Sequence, residues 1–296
     1  MRVLVTGAAG MLGFALHDSC PSDIEWVGSD VAADSPRARH ALDITDAAAV
    51  AALLDAEGIE AVVNAAAYTN VDGCEEHEAD ALAVNGQGAG NLARACAERN
   101  LPLIHVSTDY VFDGKIPAPG CYAEGDTVGP LSGYGRTKLA GEEQVLAAGG
   151  RAWIARTQWL YGLHGGNFVE TMLRLAGERD ELTVVNDQVG SPTSTHDLAP
   201  LLWALLQEQP APGVYHAVNS GDCSWFDFAC EIFSQAQAEV RVAPMDSSQL
   251  NRPAPRPARS VLNTAKLQAA LGREIPHWRD ALSRYLARRT APGATS

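Results

Sequence analysis

A chain of 296 residues with a formal charge of −14 is long enough for one large domain or two modest ones built on real cores. Its 22 basic residues form no dense run, which argues against a phosphate-tracking nucleic-acid surface and leaves the acidity as a mark of solubility. No apolar stretch approaches the roughly 20 residues needed to span a bilayer, so no membrane partner is expected either.

The N-terminus, "MRVLVTGAAGMLG", has a short apolar run broken at once by glycines, unlike a signal peptide. Further apolar runs follow in chain order: "IEWVGSD", "EAVVNAAA", "LPLIHVST" and "AWIART". They lack polar alternation and read as buried parallel strands. Between them lie amphipathic stretches, "AAAVAALLDAEG", "ADALAVNGQGAGNLARACAERN" and "TKLAGEEQVLAAGG", several of which end in glycine or asparagine stop signals. This alternation predicts βαβ units and an α/β fold, a Rossmann-like doubly wound parallel sheet.

After Thr157 the rhythm loosens. "GGNFVETMLRLAGE", "THDLAPLLWALLQEQ" and "CSWFDFACEIFSQAQA" read as helices, "ELTVVNDQVGSPTS" as strand and loop, and "GVYHAVNS" as one more core strand. Pro-rich "NRPAPRPARS", Asn251 to Ser260, is extended or looped. A strand-like "SVLN" and two helical patterns come after it, which favours a loop lying across a site over a linker to a tail. The final "TAPGATS" reads as a disordered tail. The expected division is a nucleotide-binding domain over residues 1–157, with later core elements near 196–218, and a smaller C-terminal substrate-binding domain from 158–195 and 219–296. Six scattered cysteines without a CxxC pair suit a reducing compartment, the cytoplasm.

Gly7, Gly10 and Gly13 follow the first strand and open the first helix. In that context a GxxGxxG spacing points to dinucleotide binding: Gly7 for a tight turn, Gly10 for close approach of a pyrophosphate, Gly13 for helix–strand packing. Asp30 ends the second strand, seventeen residues after Gly13, where a carboxylate accepts from adenosine ribose hydroxyls; the competing reading is a strand-end turn. Asp43 and Ile44 border the adenine, unless Asp43 serves as a helix cap or turn residue.

Ser107, Thr108 and Asp109 close the strand "LPLIHV" and face the cofactor crevice beyond its carboxyl end. Twenty-six residues after Thr108 stands Tyr134, with Lys138 one helical turn on. A carbonyl that accepts hydride needs a proton. Tyr134 can donate it if its pKa is pulled down from about 10, Lys138 supplies the positive charge and a ribose contact, and Thr108 orients the carbonyl oxygen. The eight histidines form no HxH or HExxH pattern, so no metal centre is expected; His105 reads as a core residue, and no GxSxG context supports a hydrolase.

The motifs "TGAAGMLG", "NAAAYTNVDGCE", "VSTDYVFDG", "YGRTKLAGE", "GGNFVETMLRLA", "VNDQVGSPT" and "CSWFDFA" resemble those of the extended short-chain dehydrogenase/reductases, and within them the dTDP-4-dehydrorhamnose reductase branch. That resemblance implies NADH or NADPH as cofactor, reduction of a sugar-nucleotide C4 ketone, and Thr108, Tyr134 and Lys138 as catalytic triad. It adds Met11, Leu12, Ala65, Ala66, Ala67 and Asn85 to the cofactor site, with Asn85 supporting the lysine through water. Thr69, Val71, Asp109, Trp159, Asn167 and Arg174 join Thr108 near the substrate. Trp159 has a competing reading as a core aromatic. Asn167 and Arg174, seven apart, share one helix face, which would direct Arg174 at the diphosphate unless that face is solvated. Ser132–Gly133 departs from the Asn-Val common before the tyrosine in relatives. Other dTDP-deoxysugar 4-ketoreductases, sugar-nucleotide epimerases and the non-catalytic regulatory subunit of methionine adenosyltransferase share this branch's pattern, and all three stay open, as does a homodimer.

Overall fold

The structure is a computed structural model and describes residues 1–290; most of the "TAPGATS" segment lies outside the described residues. The strands are β1 (Arg2–Thr6), β2 (Glu25–Asp30), β3 (His40–Ala41), β4 (Ala61–Asn64), β5 (Leu103–Thr108), β6 (Ala152–Thr157), β7 (Leu160–Tyr161), β8 (Glu181–Val185), β9 (Val189–Gly190), β10 (Thr193–Ser194), β11 (Gly213–His216), β12 (Cys223–Ser224) and β13 (Arg241–Met245). The helices are α1 (Met11–Asp18), α2 (Ala47–Ala56), α3 (Gly73–Glu76), α4 (Glu78–Leu82), α5 (Ala89–Glu98), α6 (Gly133–Ala147), α7 (Phe168–Ala176), α8 (Thr195–Glu208), α9 (Trp225–Ala236), α10 (Ala265–Leu271) and α11 (Trp278–Arg289).

Seven strands form one parallel sheet in the order β11-β6-β5-β4-β1-β2-β3. Their apolar runs are buried on both faces, as a doubly wound sheet demands. One face packs with α1 and α8 around Val3, Val5, Leu16, Trp153 and Leu202. The opposite face packs with α2 and α5 around Leu4, Val62, Leu92 and Ile154. Chain order reverses beside β1, between β2 and β4, and ligands of such sheets gather beyond the strand ends there.

A second core gathers Tyr161, Val169, Leu182, Phe228, Ile232, Trp278 and Tyr285 from β7, α7, β8, α9 and α11. Leu267 and Leu271 of α10, together with Ile275, belong to the first core instead. They pack on the sheet domain although they fall within 219–296, because α10 lies against β11 and α8. "SVLN" forms one isolated bridge, Tyr122 to Leu262, rather than a strand. Among the described residues no helix is long and apolar enough to cross a membrane.

The long amphipathic stretch before β5 is not one uniform helix. Residues Ala83–Gly88 are wound as a π-helix between α4 and α5, a local widening often found beside functional sites. Glycine makes the close packing there feasible. A Cβ on Gly141 of α6 would stand 2.2 Å from the Asn85 carbonyl oxygen.

Candidate active site

A cavity of about 780 Å³ opens beyond the carboxyl ends of the sheet strands. Its walls bring together Gly7, Gly10, Met11, Leu12, Gly13, Asp30, Asp43, Ile44 and Ala65 to Ala67 at one end. Thr69, Val71, Thr108, Asp109, Tyr134, Lys138 and Trp159 line the other. Size and shape suit a long ligand rather than a single sugar.

The glycine loop distinguishes what the protein needs from what a ligand needs. Gly7 has φ +69°, and a Cβ there would meet the Ala65 backbone at 2.7 Å. At Gly13 a Cβ would meet the Gly7 carbonyl oxygen at 2.4 Å. Both glycines are therefore demanded by the fold itself. At Gly10, the exposed residue that caps α1, the protein puts nothing closer than the Gly7 carbonyl oxygen at 3.2 Å. Open space at a helix N-terminus, without a side chain to fill it, is a cradle for phosphate. Asp30 accepts from the Ala9 N–H at 3.0 Å and the Val31 N–H at 2.9 Å. Its carboxylate thus fastens the loop to β2 while still facing the cavity. A dinucleotide fits this donor set. Asp43 accepts from both the Thr45 N–H and hydroxyl, so it forms a turn and borders the cavity together; the cap of α2 is Asp46.

Ser132 caps α6 by accepting from the Gly135 N–H at 3.2 Å, and the Gly133 N–H donates to Glu75 at 2.7 Å. A Cβ on Gly133 would lie 2.7 Å from the Cys74 carbonyl oxygen. The Ser-Gly departure before the tyrosine is thereby explained: one residue caps the helix, the other lets α3 approach it. On the first two turns stand Tyr134, half-buried and lining the cavity, and Lys138, which is 2 % exposed. Lys138 Nζ donates to the Val106 carbonyl oxygen at 2.7 Å. Burial draws its pKa down to about 8, against the opposing charge of Glu142 one turn on. Glu142 is itself held in a buried pair with Arg156 at 2.7 Å.

The expectation that the lysine pulls the phenol down does not hold in this geometry. Burial pushes the Tyr134 pKa up, Asp109 pushes the same way, and the Thr108 hydroxyl works in the opposite sense. Desolvation of a phenolate outweighs the rest. Tyr134 therefore keeps its proton throughout the neutral range, the state in which a donor must arrive. Asp109 is pushed up to about 7 by burial, although the Ser260 hydroxyl at 2.5 Å and the Thr108 hydroxyl at 3.1 Å both donate to it. Ser260 closes the Pro-rich segment, which is tied down again by Arg256 and the Ala254 N–H, both on Asp72 beside Val71. The segment is thereby anchored on Asp109, which lines the cavity. His105 is buried, bonded to Asn64 at 3.0 Å, with its pKa well below the usual histidine range through desolvation.

Three sequence-derived residues lie away from the cavity walls. Asn85 commits its amide to the Tyr68 backbone, accepting from its N–H at 2.8 Å and donating to its carbonyl, and donates to Thr137 at 3.1 Å. It braces α6 through protein contacts. Asn167 caps α7, accepting from the Glu170 N–H and donating to the Gly162 carbonyl oxygen. Arg174 needs correction: its side chain is 60 % exposed and paired with Glu178 one turn on. Asn167 is buried as the helix cap while Arg174 faces solvent, so the two side chains do not point into one site. Arg174→Ala should leave the KM for a sugar nucleotide within twofold of wild type, since exposed pairs of this kind contribute only a few tenths of a kcal/mol. A steady-state KM comparison checks this; a tenfold rise would return Arg174 to the site.

The cavity also contains residues that sequence reasoning passed over. Tyr110 meets Tyr134 edge-on, ring centroids 5.4 Å apart. Trp225 stacks on Trp159. Tyr110 sat in plain view beside the strand-end "STD", whereas Trp225 is 66 residues beyond Trp159 in the chain and only the fold brings them together.

The family profile described as "RmlD substrate binding domain" matches residues 1–291. A dTDP-4-dehydrorhamnose reductase of Mycolicibacterium smegmatis is 43% identical over 297 residues, covering 100% of this chain and 87% of that protein. A dTDP-4-keto-6-deoxy-D-glucose reductase of Streptomyces niveus is 42% identical, covering 95% of each. The crystal structure of a Bacillus anthracis dTDP-4-dehydrorhamnose reductase in complex with NADP superimposes with a TM-score of 0.89 at 37% identity, covering 97% of this chain and 98% of that one.

Proposed function

The chain belongs to the RmlD substrate-binding domain family, and from that premise we propose that it reduces the C4 keto group of dTDP-4-dehydro-L-rhamnose to give dTDP-L-rhamnose. It is an NAD(P)H-dependent oxidoreductase. The observation that carries the finer reading is the placement of Thr108, Tyr134 and Lys138 in the same cavity as the glycine cradle and Asp30. A bound nicotinamide cofactor supplies the hydride. The chain supplies the rest: Tyr134 Oη gives the proton to the carbonyl oxygen, the Thr108 hydroxyl orients that oxygen, and Lys138 brings positive charge to the same cavity. Gly7 to Gly13 would hold the cofactor's phosphates, and Asp30 its adenosine ribose. Six free thiols suit the cytoplasm as its compartment.

The test is oxidation of NADH or NADPH by the purified protein over a panel of dTDP-4-keto sugars, with product identified. Formation of dTDP-L-rhamnose is expected; its absence sinks the substrate assignment. The Streptomyces niveus relative supports a second reading, reduction of the 4-ketone of a different dTDP-deoxysugar, and the same panel separates the two.

Asp30 also bears on cofactor choice. Its carboxylate repels a 2′-phosphate. Arg37 and Arg39 are the candidates to screen that charge; neither lines the cavity, and Arg37 lies over the Phe14 ring at 3.9 Å and 3.6 Å from Asp18. Modest preference for NADH, or use of both cofactors, is the expected outcome of comparing kcat/KM at fixed sugar concentration. A hundredfold preference for NADPH would be incompatible with the role given to Asp30.

A further inference from the structure

Two of the sequence motifs, "VNDQVGSPT" and "CSWFDFA", have no part in the chemistry above, yet both converge on one indole. Trp159 stands two residues beyond Thr157, the residue paired with Thr108 across β5 and β6. Its backbone is left-handed, φ 48°, a conformation that bulky side chains rarely adopt and that tends to persist at functional sites. Three contacts hold it there. The Trp159 carbonyl accepts from the Thr193 N–H at 3.2 Å. Gly190 leaves room for the ring, since a Cβ there would meet Trp159 Cε2 at 2.8 Å. Trp225 covers one face, ring centroids 3.6 Å apart and planes 10° from parallel, with Phe168 leaning on Trp225 at 4.5 Å.

The placement of Trp225 is itself built in. Gly190 of β9 pairs with Cys223 of β12, and Ser224 caps α9 through a reciprocal capping box with Asp227. Trp225 is the next residue, the first of the helix. One short ladder thus sets the glycine and the second indole around Trp159. Both indoles are only half-buried and line the cavity on the side of Thr108. A core aromatic would need neither the left-handed backbone nor the open wall.

We propose that Trp225 is a positioning residue for the hexose: it fixes the Trp159 indole as a flat wall against which the apolar C–H face of a deoxyhexose packs, bringing C4 to Tyr134. This rests on the dTDP-deoxyhexose reading above. Aromatic faces suit such a ring because it presents C–H groups on one side and hydroxyls at its edge.

The test compares Trp225→Leu and Trp225→Phe in the full chain. Trp225→Leu should raise the KM for dTDP-4-dehydro-L-rhamnose about tenfold, while the cofactor KM and the affinity for dTDP alone stay within twofold. Trp225→Phe, which keeps a flat ring, should recover the sugar KM to within threefold of wild type. Far-ultraviolet circular dichroism of the wild type should show the exciton couplet of two stacked indoles, lost in both variants. A wild type that does not reduce the dTDP-sugar overturns the substrate reading and this proposal with it. Turnover by wild type with an unchanged sugar KM in Trp225→Leu overturns this proposal alone. So does equal loss of affinity for dTDP or cofactor, which would make the stack a general support of the fold.

Discussion

Tyr134→Phe should lower kcat by about 10²–10⁴-fold, the usual contribution of a positioned general acid, while the cofactor KM hardly moves. The ring that remains still meets Tyr110 edge-on at 5.4 Å, so the wall of the cavity is preserved and only the proton is lost. Because burial and Asp109 both raise the phenol's pKa, wild-type kcat should show no loss from tyrosine ionisation below pH 9. Steady-state kinetics of the variant decides the assignment. Retention of more than a third of wild-type kcat would remove Tyr134 from the proton-donor role.

Lys138→Met should be damaging in a different way. It removes an ammonium that donates to the Val106 carbonyl and lines the cavity, so both turnover and cofactor binding should suffer, with kcat/KM down by about 10²-fold or more through the loss of a general acid's charged partner. The pH profile carries the sign. Desolvation disfavours the charged amine and draws its pKa down to about 8. In the free enzyme Lys138 is charged below that value and neutral above it. Wild-type kcat/KM should therefore fall as pH rises through about 8, and Lys138→Met should lack that limb. An unchanged cofactor KM in the variant would show that the lysine makes no ribose contact.

The parallel sheet was legible because its strands are unbroken apolar runs such as "RVLVT" and "AWIART", which only burial on both faces explains. β3 escaped notice: two residues, His40 and Ala41, carry no periodicity. The glycine loop and the Tyr-Lys pair were legible because each depends on local spacing. Arg174 misled because Asn167 is the buried cap of α7 rather than a residue within it, so helical spacing did not set the two side chains on one face. Trp225 and Ser260 were illegible for a related reason. Their partners, Trp159 and Asp109, are remote in the chain, and no local pattern encodes a contact made by the fold as a whole. The Pro-rich segment falls between these cases. Its prolines marked it as a loop, and the helices after it showed that the chain returned, but the carboxylates it would seek were hidden.

The sheet core begun by Val3 and Val5 is finished by Leu202, Tyr215, Leu267 and Ile275. A growing polypeptide that has emerged only as far as Lys138 therefore carries Thr108, Tyr134 and Lys138 but covers one side of its sheet with α1 alone, because α8, β11 and α10 have yet to be synthesised. The same interleaving governs any attempt at recombination. A fragment cut after residue 157 is not a portable cofactor module. Grafting a different sugar pocket onto this scaffold means replacing three separate stretches, near 158–195, 219–262 and 276–290, while retaining the native segments between them.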